Sequence, residues 1–318
     1  MISRVRASRW LKPAFLLIAL AFCGYGLATQ RAEIGAALTD LSGWALAGAL
    51  AAGLGGLVAW MLAWRSLLTG LGSPLPFGAA FRIMFLAQLG KYVPGSVWAL
   101  VGQVELAKER QVPRERGASA TLLAMATTIA TGCAIAAVTL PLTSADATRR
   151  YWWLLPLAPL LLAALHPAVI SFLLTRALRI VRRPPPARPG GAAMARAMAW
   201  TVLGWALFGM HAWLLADDLG GAGPLLSTGA YALAFVVGFL VIIAPGGLGA
   251  REAALVVALS PTLPDGGPVV VALASRVVLT VADLLCAAVA FALGRTPAPV
   301  PAPERTPPAP AAPGRPEA

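Results

Sequence analysis

Charge is scarce in this sequence. Only 12% of its 318 residues are Asp, Glu, Lys or Arg, against about 25% in a soluble domain. Half the usual charge cannot coat a globule of this size. That excludes a soluble enzyme, a disordered chain and a nucleic-acid module, despite a pI near 10.9. Histidine is nearly absent: His166 and His211 stand alone, each without a second ligand nearby, and read as packing or helix–helix hydrogen-bonding groups. The three cysteines, Cys23, Cys133 and Cys286, all fall inside apolar runs. They read as small packing residues rather than a disulfide or metal framework. Gly247-Leu248-Gly249 lacks the Gly-Lys-Ser/Thr of a phosphate loop, so no ATPase is expected. No paired carboxylates, no nucleophile with a base and no metal spacing stand out. The expectation is a chain that is not an enzyme, with no catalytic residue, no cofactor and no metal.

What is present is apolar. Hydrophobic residues make up 58% of the chain, and the mean hydropathy is +0.76. Runs of about 20 apolar residues recur, as membrane-spanning helices require. Full spans are expected at Pro13–Ala28, Leu41–Trp64, Ala118–Leu140, Tyr151–Thr175, Met198–Ala216 and Pro268–Leu293. The first is read as a retained helix rather than a cleaved signal, because further spans follow. Two more apolar segments, Ala79–Gln103 and Thr228–Ser260, are interrupted. The fold class is therefore an all-α polytopic integral membrane protein. It has about six full spans plus two re-entrant helical hairpins, or eight or more spans by generous counting.

The basic residues set the topology. With the N-terminus in the cytoplasm and each interrupted segment entering and leaving on one side, 18 of the 25 Lys and Arg fall on the cytoplasmic side. Three fall outside, and Arg82, Lys91, Arg251 and Arg276 sit at membrane level. This is the positive-inside pattern. A single crossing at either interrupted segment spoils it. Residues 1–12 are then a cytoplasmic N-terminus, residues 13–293 the membrane domain, and residues 294–318 a Pro/Ala-rich cytoplasmic tail that cannot bury a core. High Ala, Arg and Pro usage points to a GC-rich, bacterial genome.

The order span, span, interrupted segment, span occurs twice, in halves 13–141 and 151–293. Three crossings per half make the second half inverted, an architecture recurrent in transporters. Both interruptions place Pro-Gly beside a cation. The first reads Leu89-Gly90-Lys91-Tyr92-Val93-Pro94-Gly95-Ser96-Val97-Trp98, the second Ile243-Ala244-Pro245-Gly246-Gly247-Leu248-Gly249-Ala250-Arg251-Glu252. Pro removes a backbone donor and Gly tolerates the dihedrals of a reversal. Such breaks survive in a membrane only inside protein or against a wet cavity. Short helices follow, from about Ser96 and about Ala250. Their N-termini suit an anion, and Lys91 and Arg251 add full charges. A bare Lys or Arg at mid-bilayer costs about 2.5–3.5 kcal/mol, so two of them need a partner. A phosphate is the simplest, and the abundant phosphates of a membrane are on lipids. In the last span Arg276 and Asp283 share a helix face. They are read as a helix-registering pair, or as groups facing Glu252 and either Arg251 or Lys91 respectively. Gly48, Gly53 and Gly56, with Ala52, are small-residue helix contacts.

At these residues the sequence resembles a known family. Lys91-Tyr92-x-Pro94-Gly95-x-x-Trp98, followed by Pro245-Gly246-Gly247-Leu248-Gly249-x-x-Glu252, is similar to the lysylphosphatidylglycerol synthase transmembrane, or flippase-like, domain family. The resemblance covers roughly Pro13–Leu293. It implies an inner-membrane protein that moves or handles polar lipids, with Arg276 and Asp283 at polar positions of the last span. Synthase members add a soluble aminoacyl-transfer domain, whereas this sequence ends in the Pro-rich tail, so lipid aminoacylation is not expected of it. The family often carries an acidic residue where this chain reads Met125-Ala126-Thr127-Thr128, and a basic one where it has Gln103. The expected function is translocation or handling of an anionic polar or isoprenoid-linked lipid at a mid-membrane site. That site comprises Lys91, Tyr92, Pro94, Gly95, Pro245, Gly246, Gly247, Gly249, Arg251, Glu252, Arg276 and Asp283. Its partner is a phospholipid or lipid-linked phosphate and not a nucleic acid. The alternative is a non-catalytic accessory subunit of a lipid-modifying enzyme or a glycosyltransferase.

Overall fold

Ser42 caps a long helix in the structure, a computed structural model that describes residues 38–93, 98–143, 155–164, 189–240 and 249–293, with single positions 32, 35, 149 and 152. The Ser42 hydroxyl accepts from the Ala45 amide at 3.2 Å, satisfying one of the donors a helix start leaves open. Helix α1 (Gly43–Gly70) then runs to Leu71, and Gly72 turns the chain at φ 78°. Helix α2 (Phe77–Gln88) passes into a 3-10 turn at Leu89–Tyr92. Then come α3 (Trp98–Lys108), α4 (Arg114–Thr139) and α5 (Leu157–Ala164). Helix α5 already belongs to the second half, which goes on with α6 (Gly191–Asp217), α7 (Pro224–Leu240), α8 (Ala250–Leu259) and α9 (Gly267–Leu293). The described residues contain helices and no strand, as a chain that must pair its backbone internally in lipid requires.

Among the described residues four helices, α1, α4, α6 and α9, are long and apolar enough to cross a membrane. They correspond to the expected spans at Leu41–Trp64, Ala118–Leu140, Met198–Ala216 and Pro268–Leu293. The expected span Pro13–Ala28, most of Tyr151–Thr175 and the tail lie outside the described residues. Each interrupted segment is a pair of shorter helices packed side by side, α2 with α3 and α7 with α8. At 1.5 Å per residue α2 is about 18 Å long and α8 about 15 Å, both short of a hydrocarbon core of about 30 Å. The side chains that α6 and α9 turn outward, among them Val202, Leu203, Met210, Leu285, Val289 and Phe291, are large, apolar and exposed.

The packing repeats under exchange of halves. α1 lies along α6. Where α3 packs on α4, α8 packs on α9; where α1 meets α9, α6 meets α4. The interrupted segments swap sides: α2 docks on α9, the last helix of the other half, and α7 docks on α4. Trp64, Trp205, Phe208 and Tyr231 fill the centre, all buried. A second cluster joins Ala49, Leu215, Leu255, Leu259 and Val271 where α1, α6, α8 and α9 meet. The expected small-residue contacts are present. A methyl added at Gly53 would stand 2.9 Å from Leu279, and one at Gly56 2.9 Å from Phe208.

Candidate functional site

The two interrupted segments face one cavity of about 270 Å³. Trp60 and Trp64 of α1 and Phe235 and Phe239 of α7 line its apolar side. Ala99 and Leu100, in the first turn of α3, line it too, as do Thr121, Met125 and Thr128 of α4. Gln88 and Gln103 come from the two arms of the first segment. Lys91 enters from the 3-10 turn and Arg251 from the first turn of α8. Two cations distant in the chain thus share one recess.

Local chemistry sets each of them. Lys91 pairs with Asp283 of α9 at 2.5 Å. The Tyr92 hydroxyl donates to the same carboxylate oxygen at 2.7 Å. Asp283 is only 3% exposed, whereas Lys91 is 32% exposed. The other Asp283 oxygen is buried without a hydrogen-bond partner among the described residues. Arg251 follows Gly249, which takes φ 82°, a left-handed dihedral that costs glycine little. Glu252 accepts from the Gly249 amide at 2.7 Å, which closes the helix start as a capping carboxylate does. The Arg251 guanidinium donates to the Tyr231 hydroxyl at 2.6 Å and lies 4.9 Å from the centre of that ring, within cation–π range.

Close backbone approach holds both segments in shape. A Cβ on Gly90 would lie 2.7 Å from the Ala99 nitrogen, and one on Gly238 would lie 2.8 Å from the Arg251 Cβ. Only glycine lets the two arms of each pair come this near. His211 is buried, its Nε2 2.8 Å from the Ser275 hydroxyl, so it joins α6 to α9 as a helix–helix hydrogen-bonding group.

The structure brings Lys91 and Arg251 together on the cavity wall, with Tyr92 and Asp283 behind Lys91. Of the two orientations open to Asp283, it takes the one toward Lys91. Arg276 faces Glu252 at 3.7 Å, away from the cavity lining, and Gly249 and Glu252 shape the start of α8. Pro94, Gly95, Pro245, Gly246 and Gly247, together with Ser96, lie outside the described residues. Sequence reasoning passed over Tyr231, Gly238 and Gln88, whereas Thr128, named only as a departure from the family pattern, does line the recess. A tyrosine inside the apolar run of α7 was the available signal for the first. The others carry none, because only the fold turns them toward the recess.

The chain has no match among curated proteins. Residues 9–287, nearly the whole chain, match the family described as Lysylphosphatidylglycerol synthase TM region, and the chain belongs to that family, a membrane domain related to lipid handling.

Proposed function

We propose that this protein is a flippase-like transporter that holds the negative head group of a lipid between Lys91 and Arg251 and carries it across a bacterial inner membrane. One observation carries the reading: the two interrupted segments, one from each half, present their cations to a single cavity. A lipid phosphate is the anion a membrane offers in quantity, and it is matched by a Lys and an Arg in partly apolar surroundings. The tails stay in the bilayer while alternating exposure of the recess moves the head. The reciprocal packing of the halves supports an inverted repeat, and the short α2 and α8 support re-entrant hairpins. The excess of Lys and Arg on one side supports cytoplasmic termini.

Leaflet exchange tests the reading. Purified protein in liposomes is expected to speed exchange of labelled phosphatidylglycerol or of a polyprenyl phosphate. Arg251→Gln and Lys91→Gln, the latter keeping an amide that donates to Asp283, are expected to slow it about tenfold or more, the scale of one charge-assisted hydrogen bond. Equal exchange in empty and protein-loaded liposomes, across several anionic lipids, sinks transport. Such a result with a stoichiometric enzyme co-purifying would favour the accessory-subunit reading instead.

A further inference from the structure

The walls of the cavity carry a definite charge count. Lys91 and Arg251 are its two cations, and among the described residues no carboxylate lines it. Asp283 stands behind Lys91 and takes its ammonium at 2.5 Å, so the pair carries no net charge while Lys91 still lines the recess as a hydrogen-bond donor. Arg251 differs. Among the described residues its close partner is the neutral hydroxyl of Tyr231. Glu252, next in sequence, is committed to the Gly249 amide and to Arg276. The recess therefore offers one unbalanced positive charge. Beside it stand neutral hydrogen-bonding side chains, Gln88, Gln103 and Thr128.

Resting on the lipid-binding reading above, we infer that the cavity selects a head group with one negative charge and no positive one: a phosphodiester whose remaining substituent is hydroxylated and uncharged. A phosphomonoester brings roughly −1.5 to −2 at pH 7, more than Arg251 balances. A head bearing an ammonium brings a cation that meets Arg251 and finds no wall carboxylate among the described residues. A charge left unpaired away from water is strongly disfavoured. The aromatic wall is no substitute. Trp60 packs among Trp205, Phe208 and Phe235 at 4.6–5.1 Å between ring centres, so it does not stand as an open cage for an ammonium.

The test is lipid competition on the purified full chain, read by native mass spectrometry at pH 7.5. The probes are phosphatidylglycerol, phosphatidic acid, phosphatidylcholine and lysylphosphatidylglycerol in a nonionic detergent. Phosphatidylglycerol is expected to be retained about tenfold over each of the others, the scale of one charge-assisted hydrogen bond. Asp283→Asn keeps an acceptor for Tyr92 and removes the balancing charge. It is expected to shift the ratio about tenfold toward phosphatidic acid. Thr128→Glu adds a wall carboxylate without touching the ion pair, and is expected to shift the ratio toward lysylphosphatidylglycerol. Equal retention of the four lipids, or ratios that neither variant moves, overturns the charge selection while lipid binding stands. No retention of any lipid above a detergent blank, or retention indifferent to Arg251→Gln, overturns the lipid-binding reading and the selection with it.

Discussion

A lysine and an aspartate that meet at 2.5 Å are not equivalent partners when one is 32% exposed and the other 3%. Lys91→Ala strands a carboxylate inside protein with only Tyr92 to solvate it. Loss of one partner from a buried pair costs about 3–5 kcal/mol. Asp283→Ala strands a lysine that is already partly exposed and can turn toward the cavity, so its cost is about 1.5–3 kcal/mol, that of a lost hydrogen bond to a charge. Thermal unfolding of the two variants in detergent is expected to rank Lys91→Ala well below Asp283→Ala. Equal loss would mean that the cavity does not admit the ammonium. The sequence placed both residues at membrane level, but it left Asp283 open to either cation. The decision belongs to the docking of α2 on α9, which brings the 3-10 turn and not α8 against Asp283.

The interrupted segments depend on glycine at their closest approach. At Gly90 the obstacle to a methyl is backbone, the Ala99 nitrogen at 2.7 Å. Backbone cannot rotate away, so Gly90→Ala forces α2 and α3 apart, at a cost of about 1–3 kcal/mol for overpacking. Gly238→Ala meets the Arg251 Cβ at 2.8 Å and is expected to displace the guanidinium from the cavity. Gly78, in the first turn of α2, has nothing within 4 Å. Gly78→Ala is therefore expected to be neutral or stabilising by up to about 1 kcal/mol, the helix-propensity gain. Unfolding midpoints of the three variants check the ranking. A Gly90→Ala variant as stable as Gly78→Ala would mean that the hairpin arms do not touch there. Hydropathy shows where the runs break, because Pro-Gly interrupts them visibly. It does not show which glycine sits at the closest approach, since any glycine in the run reads alike.

The halves are interlocked rather than side by side. α2 leans on α9, and α7 on α4 as well as on α6 of its own half, so each half takes away one support of an interrupted segment when it is missing. Residues 13–141 or 151–293 expressed alone are expected to be degraded or misfolded. Co-expressed from one membrane they are expected to associate, so that a tag on one half recovers both at equal stoichiometry. Stable accumulation of a single half would show that the exchanged packing is not what holds the fold.

Composition and hydropathy by themselves determined the solvent of this protein. A chain with half the usual charge and repeated apolar runs has no way to present a polar surface, and helices are the way it pairs its backbone in lipid. The positions of the breaks and of the membrane-level charges were legible for the same reason, because each departs from an apolar background. The partners of those charges were decided only by the tertiary structure. Lys91 and Arg251 share a recess, and Arg276 turns from it, because helices of opposite halves exchange their docking sides. Contacts between distant segments follow from how whole helix faces fit, and no local pattern encodes that fit.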